Sequence, residues 1–150
     1  MHANNTISCK AADSSALDTS YFDLFNLPRS FCIDKTLLKK NYYSASRKSH
    51  PDLCGKNNVS IADSHILNRA YSILNDDFLR AKLFTVPSES VDPNFLEKCI
   101  ELEDRIMSGE DLSKHLLEKM EECKAHYADP VYLCKWGYYK RLYEIIRNKA

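Results

Sequence analysis

Glycine is scarce in this chain, with three in 150 residues, at positions 55, 109 and 137. They are too few and too scattered for a phosphate loop of the form Gly-x-x-x-x-Gly-Lys-Ser/Thr or a Gly-x-Ser-x-Gly nucleophile elbow, which disfavours intrinsic nucleotide hydrolysis and serine hydrolase chemistry. No apolar run approaches the ~20 residues that a membrane span needs, so a soluble chain with no membrane role is expected. Charge of one sign is not in excess: 21 basic and 21 acidic side chains give a formal net charge of zero. That balance argues against a nucleic-acid binder working by phosphate neutralisation. The six cysteines, at 9, 32, 54, 99, 123 and 134, never form Cys-x-x-Cys, and the five histidines never form His-Glu-x-x-His. No metal site and no cofactor are therefore expected, and the cysteines are read as reduced thiols. Residues 1–19 lack both a secretory hydrophobic region and the arginine-rich composition of a transit peptide, and are expected to be a disordered tail.

What remains is helical patterning. An apolar content of 44% with few glycines and prolines suits an all-α protein, and neither a strand pattern nor an internal repeat competes. A short helix is expected around Ser20 to Phe25, followed by a helix from Asp34, its cap, to about Ser49, with Leu38, Tyr42, Ala45 and Ser49 on one stripe. After a polar loop, Ser60 and Asp63 start a third helix carrying Leu67, Ala70, Tyr71 and Leu74, predicted to pack antiparallel against the second. A brief fourth helix spans about Asp77 to Phe84. Residues 85–91, short, polar and proline-bearing, are the expected linker between two domains, 20–84 and 92–150.

In the second half, Asp92-Pro93 and Asp129-Pro130 each place a capping acid before a proline at the first helical position, where its missing amide hydrogen costs nothing. Gly109 separates the first of these helices from a middle one carrying Leu112, Leu116, Met120, Cys123 and Tyr127. The result is an antiparallel three-helix bundle. The outer two helices are too apolar for a single core face. Phe95, Cys99, Leu102 and Ile106 form one stripe, while Leu96, Ile100 and Met107 form a second, flanked by Glu97, Glu101 and Asp104. The last helix repeats this, with Trp136, Tyr139, Tyr143 and Ile146 on the core side and Tyr138, Leu142 and Ile145 beside them. The second stripes either widen the core or form a docking patch with apolar anchors rimmed by carboxylates.

One tripeptide stands out. His50-Pro51-Asp52 follows a stretch, residues 34–48, in which Lys35, Lys39, Lys40, Arg47 and Lys48 face one acid, Asp34. Pro51 disfavours the α conformation at His50, so the basic helix should end near Ser49 and leave the motif on a stiffened turn. A basic face beside such a turn can dock an acidic partner. Upstream lies Tyr21-Phe22-Asp23-Leu24-Phe25-Asn26-Leu27-Pro28, and downstream Leu67-Asn68-Arg69-Ala70-Tyr71-Ser72-Ile73-Leu74-Asn75-Asp76.

Together these segments resemble the J-domain family and, within it, the HscB type of iron–sulfur co-chaperone. Leu79-Arg80-Ala81 looks like the end of the family's fourth helix, and Phe95 to Leu102 looks like its carboxy-terminal signature. The resemblance implies a J-domain, a helical hairpin with short flanking helices, over 20–84, then a bundle over 92–150. It implies two partners. A DnaK/HscA-type chaperone would meet His50, Pro51 and Asp52 together with Lys39, Lys40, Arg47 and Lys48, and its ATPase would be stimulated. An IscU-type scaffold would meet Leu96, Ile100, Glu101, Asp104 and Tyr138. The chain departs from the pattern at Ser49, where an aromatic is common, at Leu53, where a lysine or bulky residue is common, and at Glu97, where relatives carry an apolar residue. Its carboxy-terminal segments are shorter than in typical bacterial relatives, and it has no amino-terminal Cys-x-x-Cys pair of the kind some animal relatives carry.

The chain itself is expected not to be an enzyme. His50 and Asp52 could serve acid–base chemistry, but nothing near them in sequence completes a hydrolase site. The alternatives are a J-domain protein serving a different client and, last, a hydrolase using His50 and Asp52. The expected compartment is the mitochondrion or a derived organelle in a eukaryote and the cytoplasm in a bacterium. Self-association is left open.

Overall fold

The structure is a computed structural model describing residues 21–48 and 61–150, with the side chains of 61–63 excepted. The 1–19 tail, the polar loop to Ser60, Cys9, Cys54 and His50-Pro51-Asp52 lie outside the described residues. Within them the regular structure is entirely α-helical: a helical turn at 21–24, then α1 (Lys35–Lys48), α2 (Ile61–Asn75), α3 (Asp77–Ala81), α4 (Pro93–Met107), α5 (Ser113–Ala125) and α6 (Pro130–Lys149). The chain divides into two compact units, with the boundary between Leu83 and Phe84.

In the first unit the opening helical turn ends at Asn26, whose φ of 51° is left-handed. The amides of Asn26 and Leu27 then reach back to the carbonyls of Asp23 and Phe22, a closure that satisfies the last carbonyls of a helix. Asp34 caps α1, its carboxylate accepting from the amides of Thr36 and Leu37. Lys35, at the start of α1, meets Asp77 beyond the end of α2 at 3.1 Å. Tyr42, in the middle of α1, donates to Asn68 and stacks on Tyr71, both on α2. Contacts that rise along one helix while falling along the other make α1 and α2 antiparallel. Phe22, Phe25, Leu38, Ala70 and Leu74 are wholly buried between them.

Arg80 is buried with them, at 4% exposure. Its guanidinium donates to the carbonyls of Phe31 and Leu74, both at 2.6 Å, and to the Asp77 carboxylate at 2.8 Å, and it lies over the Phe31 ring. Helix α3 ends at Ala81 rather than continuing to Phe84: the Lys82 amide makes the last i→i−4 bond, to Phe78, and the Leu83 amide already turns to Arg80, three residues back.

The second unit is an up-down-up bundle. Asp92 and Asp129 accept from the amides of Asn94 and Val131, with proline following each cap. Such caps contribute about 1 kcal/mol apiece. Gly109, at φ 98°, and Glu110 turn their amides back to Ile106 and Arg105 to close α4. Phe95 touches Tyr138 and Tyr139, Glu103 meets Arg141, and Ile106 accepts from Lys149, so α4 and α6 run the same way. α5 returns antiparallel to both and packs on α6, and Leu102, Ile106, Leu112, Leu116 and Leu142 close the core.

Leu142 corrects the sequence reading. Assigned to the outer stripe of the last helix, it is 3% exposed and belongs to the core. Leu133, in neither stripe, is wholly buried. Because α6 packs against both α4 and α5, its buried arc is wider than one stripe. Tyr127 lies past the end of α5, where the amide of Tyr127 turns back to Lys124.

Arg80→Met keeps an apolar stem but strands two buried carbonyls and removes one of the cations on the Asp77 carboxylate, and should destabilise the first unit by about 3 kcal/mol. Hydrogen exchange of the α1 and α2 amides in the full chain measures this. A loss below about 1 kcal/mol, the scale of one ordinary hydrogen bond, would show the guanidinium to be dispensable.

Candidate functional site

Two surfaces hold the side chains singled out from sequence, one on each unit. On the first, α1 turns its basic residues to solvent: Lys39, Lys40, Arg47 and Lys48 are all exposed. At 100° per residue, Lys40 and Arg47 stand within about 20° of each other around the helix. Lys39 lies to one side of them and Lys48 to the other. Between Lys39 and Arg47 projects Tyr43, 52% exposed. Motif reasoning passed over this aromatic because its neighbour Tyr42 accounts for the core stripe. His50, Pro51 and Asp52 lie outside the described residues, two to four positions past the last residue of α1.

The second surface is a groove of about 200 Å³ between α4 and α6. Leu96 and Ile100 line it from α4 and Tyr138 from α6, so three of the five proposed docking residues converge. Cys99 and Leu142 form its inner wall, and Glu103 and Arg141 face each other across it at 3.6 Å. Sequence reasoning missed Cys99, Glu103 and Arg141. The spacing of Leu96, Ile100, Glu103 and Met107, at i, i+4, i+7 and i+11, was the available signal, but a stripe search restricted to apolar residues skips a glutamate. Ile100 and Met107 are 62% and 61% exposed, large apolar side chains left in water along one row.

Glu101 and Asp104 do not join this groove. Around α4, Asp104 sits beside the Leu96–Ile100 row as an exposed flank, while Glu101 is about 100° from Ile100, on the side of Arg105. Glu97 is exposed. Tyr138 is half-buried, its ring edge-on to Phe95 at 5.7 Å, which holds its side chain at the groove mouth.

Burial raises the Cys99 thiol above its ordinary range, opposed by the Arg141 charge, so the thiol keeps its proton and is a poor nucleophile. Among the described residues no cluster of histidine, cysteine and carboxylate could hold a metal ion. No helix among them is long and apolar enough to cross a membrane.

Set beside known proteins, the chain is 40% identical over 70 residues to the co-chaperone protein HscB of Buchnera aphidicola subsp. Acyrthosiphon pisum strain Tuc7, a match covering 43% of this chain and 40% of that one. It is 29% identical over 105 residues to the co-chaperone protein HscB homolog of Acinetobacter baumannii strain ATCC 17978, covering 65% of this chain and 60% of that one. The chain thus spans about half the length of the curated relatives it matches. No family model and no solved structure matches. The chain has curated homologues named as HscB co-chaperones.

A buried thiol and a half-buried phenol in the bundle make its stability fall at high pH. Burial pushes the Cys123 thiol from 9.0 up to about 11 and the Tyr139 phenol from 10.0 up to about 12. Both groups stay protonated in the folded chain at pH values where the unfolded chain has released its protons, so stability is full below about pH 9 and declines towards pH 12. Urea midpoints across this range should fall, and Cys123→Val should flatten the decline between about pH 9 and 11; an unchanged profile would contradict the assignment.

Proposed function

We propose that the chain is a co-chaperone of iron–sulfur cluster assembly, with no catalytic chemistry of its own, that acts on two partners. Residues 20–84 serve as its J-domain. His50, Pro51 and Asp52 engage an ATP-bound chaperone of the DnaK/HscA type, and Lys39, Lys40, Arg47 and Lys48 steer the encounter with an acidic surface of that partner. The bundle, residues 92–150, holds an IscU-type scaffold. Leu96, Ile100 and Tyr138 are its apolar anchors and Asp104 an acidic flank, while Glu101 approaches the scaffold from the other side of α4. The compartment on this reading is the cytoplasm of a bacterium, or the mitochondrion or a mitochondrion-derived organelle of a eukaryote.

The observation that carries the reading is the convergence of Leu96, Ile100 and Tyr138 on one groove. Large apolar side chains left 62% and 61% exposed in a row, at Ile100 and Met107, are the anchors a partner would desolvate. Homology to HscB co-chaperones supports the partner class. Joining both binding surfaces in one chain raises the effective concentration of client at chaperone.

His50→Gln should leave the fold intact and abolish stimulation of the chaperone's ATPase, measured in single-turnover assays; undiminished stimulation would refute the reading. Leu96→Ala with Ile100→Ala should weaken scaffold binding roughly tenfold or more. Because Ile100 is exposed, its contribution to stability stays within about 0.5 kcal/mol, so calorimetry separates lost docking from lost fold. Stimulation that survives alongside unchanged scaffold affinity in the double variant would instead favour a J-domain protein with a different client.

A further inference from the structure

On the other flank of α4 lies a larger cleft, of about 420 Å³, between α4 and α5 with α6 beneath. This is within the range of small-molecule sites. Phe95, Tyr132 and Tyr139 supply its aromatic lining. Lys98 enters from α4, His115 from α5 and Lys135 from α6.

The charges facing the cleft do not cancel locally. Asp92 is engaged as the cap of α4, Glu122 pairs with Lys119 at 3.2 Å, and Arg105 is held by both oxygens of Glu110. Glu101, the remaining carboxylate on the cleft, stands beside Arg105. Lys98 and Lys135 have no carboxylate partner among the described residues. The Lys135 ammonium is instead positioned by two rings, 5.3 Å from the centre of Phe95 and 5.6 Å from that of Tyr132. A cation held over aromatic faces is oriented without being neutralised.

We propose that this cleft is a second binding site, for a small anion with an aromatic body. Lys98 and Lys135 meet the anionic group, His115 adds a ring nitrogen, and the ring of the ligand lies against Tyr139 and the side of Tyr132 that the stacked His126 leaves uncovered, above the buried Phe95. The Cys123 thiol, also on the lining, stays protonated at neutral pH and takes no part in bond making. The site recognises and does not react. It is separate from the Leu96–Ile100 groove and does not depend on the scaffold reading.

Phenyl phosphate is the probe, with inorganic phosphate and benzyl alcohol as anion-only and ring-only controls, titrated into the isotope-labelled full chain and followed by amide shifts. Phenyl phosphate should bind saturably, shift the amides around Lys98, Tyr132 and Lys135, and bind at least about fivefold more tightly than either control. Lys98→Gln and Lys135→Gln should each weaken it up to about fivefold, the scale of one exposed ion pair, while Lys135→Arg retains it. Binding by either control as tight as phenyl phosphate, shifts mapping elsewhere, or lysine variants that bind like the parent would overturn the site.

Discussion

The first unit depends on one buried charge. A guanidinium at 4% exposure is expensive to desolvate, and Arg80 offsets this by donating to three groups: the Phe31 carbonyl in the loop before α1, the Leu74 carbonyl at the end of α2, and the Asp77 carboxylate. Those groups come from three separate stretches of chain. Asp77 also receives Lys35 from the first turn of α1, so the root of the basic helix and the end of its partner are tied to one carboxylate. Apolar burial alone, being non-directional, would bring α1 against α2 without fixing where α1 begins.

The second unit is organised differently, by helix ends and by one long helix. Aspartate-proline pairs start α4 and α6, and the left-handed Gly109 ends α4. With these limits set, α6 carries both neighbours. Two helices docked on one give α6 a broad buried arc but leave α4 with only a narrow one, and its outer rows stay in water. The groove beside Leu96 and the cleft beside Lys98 are the two sides of that narrow contact.

Much of this was legible in the chain. Asp34, Asp92 and Asp129 mark helix starts by local chemistry, a capping carboxylate two or three residues from the amides it serves, and such signals survive whatever packs against them. The stripes were legible only to the precision of a helical wheel. Tyr138 and Leu142 differ by about 40° around α6, yet one lines a groove mouth and the other closes the core; which side of the boundary each falls on is set by the neighbouring helices. Arg80 was legible as a motif residue but not as a buried one, because its partners are backbone carbonyls, which carry no sequence signature. The pairing of Glu103 with Arg141 joins residues 38 positions apart and follows from the parallel course of α4 and α6.

Phe95 shows how closely the two surfaces of the bundle are joined. Its ring meets Tyr138 edge-on at 5.7 Å and Tyr139 edge-on at 5.5 Å. Those tyrosines are adjacent in sequence and so point about 100° apart on α6, one to the groove and the other to the cleft. A single buried ring at 6% exposure is therefore the partition between them. Edge-to-face contacts of this kind are each worth about 1 kcal/mol and prefer a defined angle, so the ring cannot swing towards one tyrosine without weakening its contact with the other. In a close-packed interior with no room for independent adjustment, the shape of the apolar groove and the shape of the charged cleft are set by the same side chain.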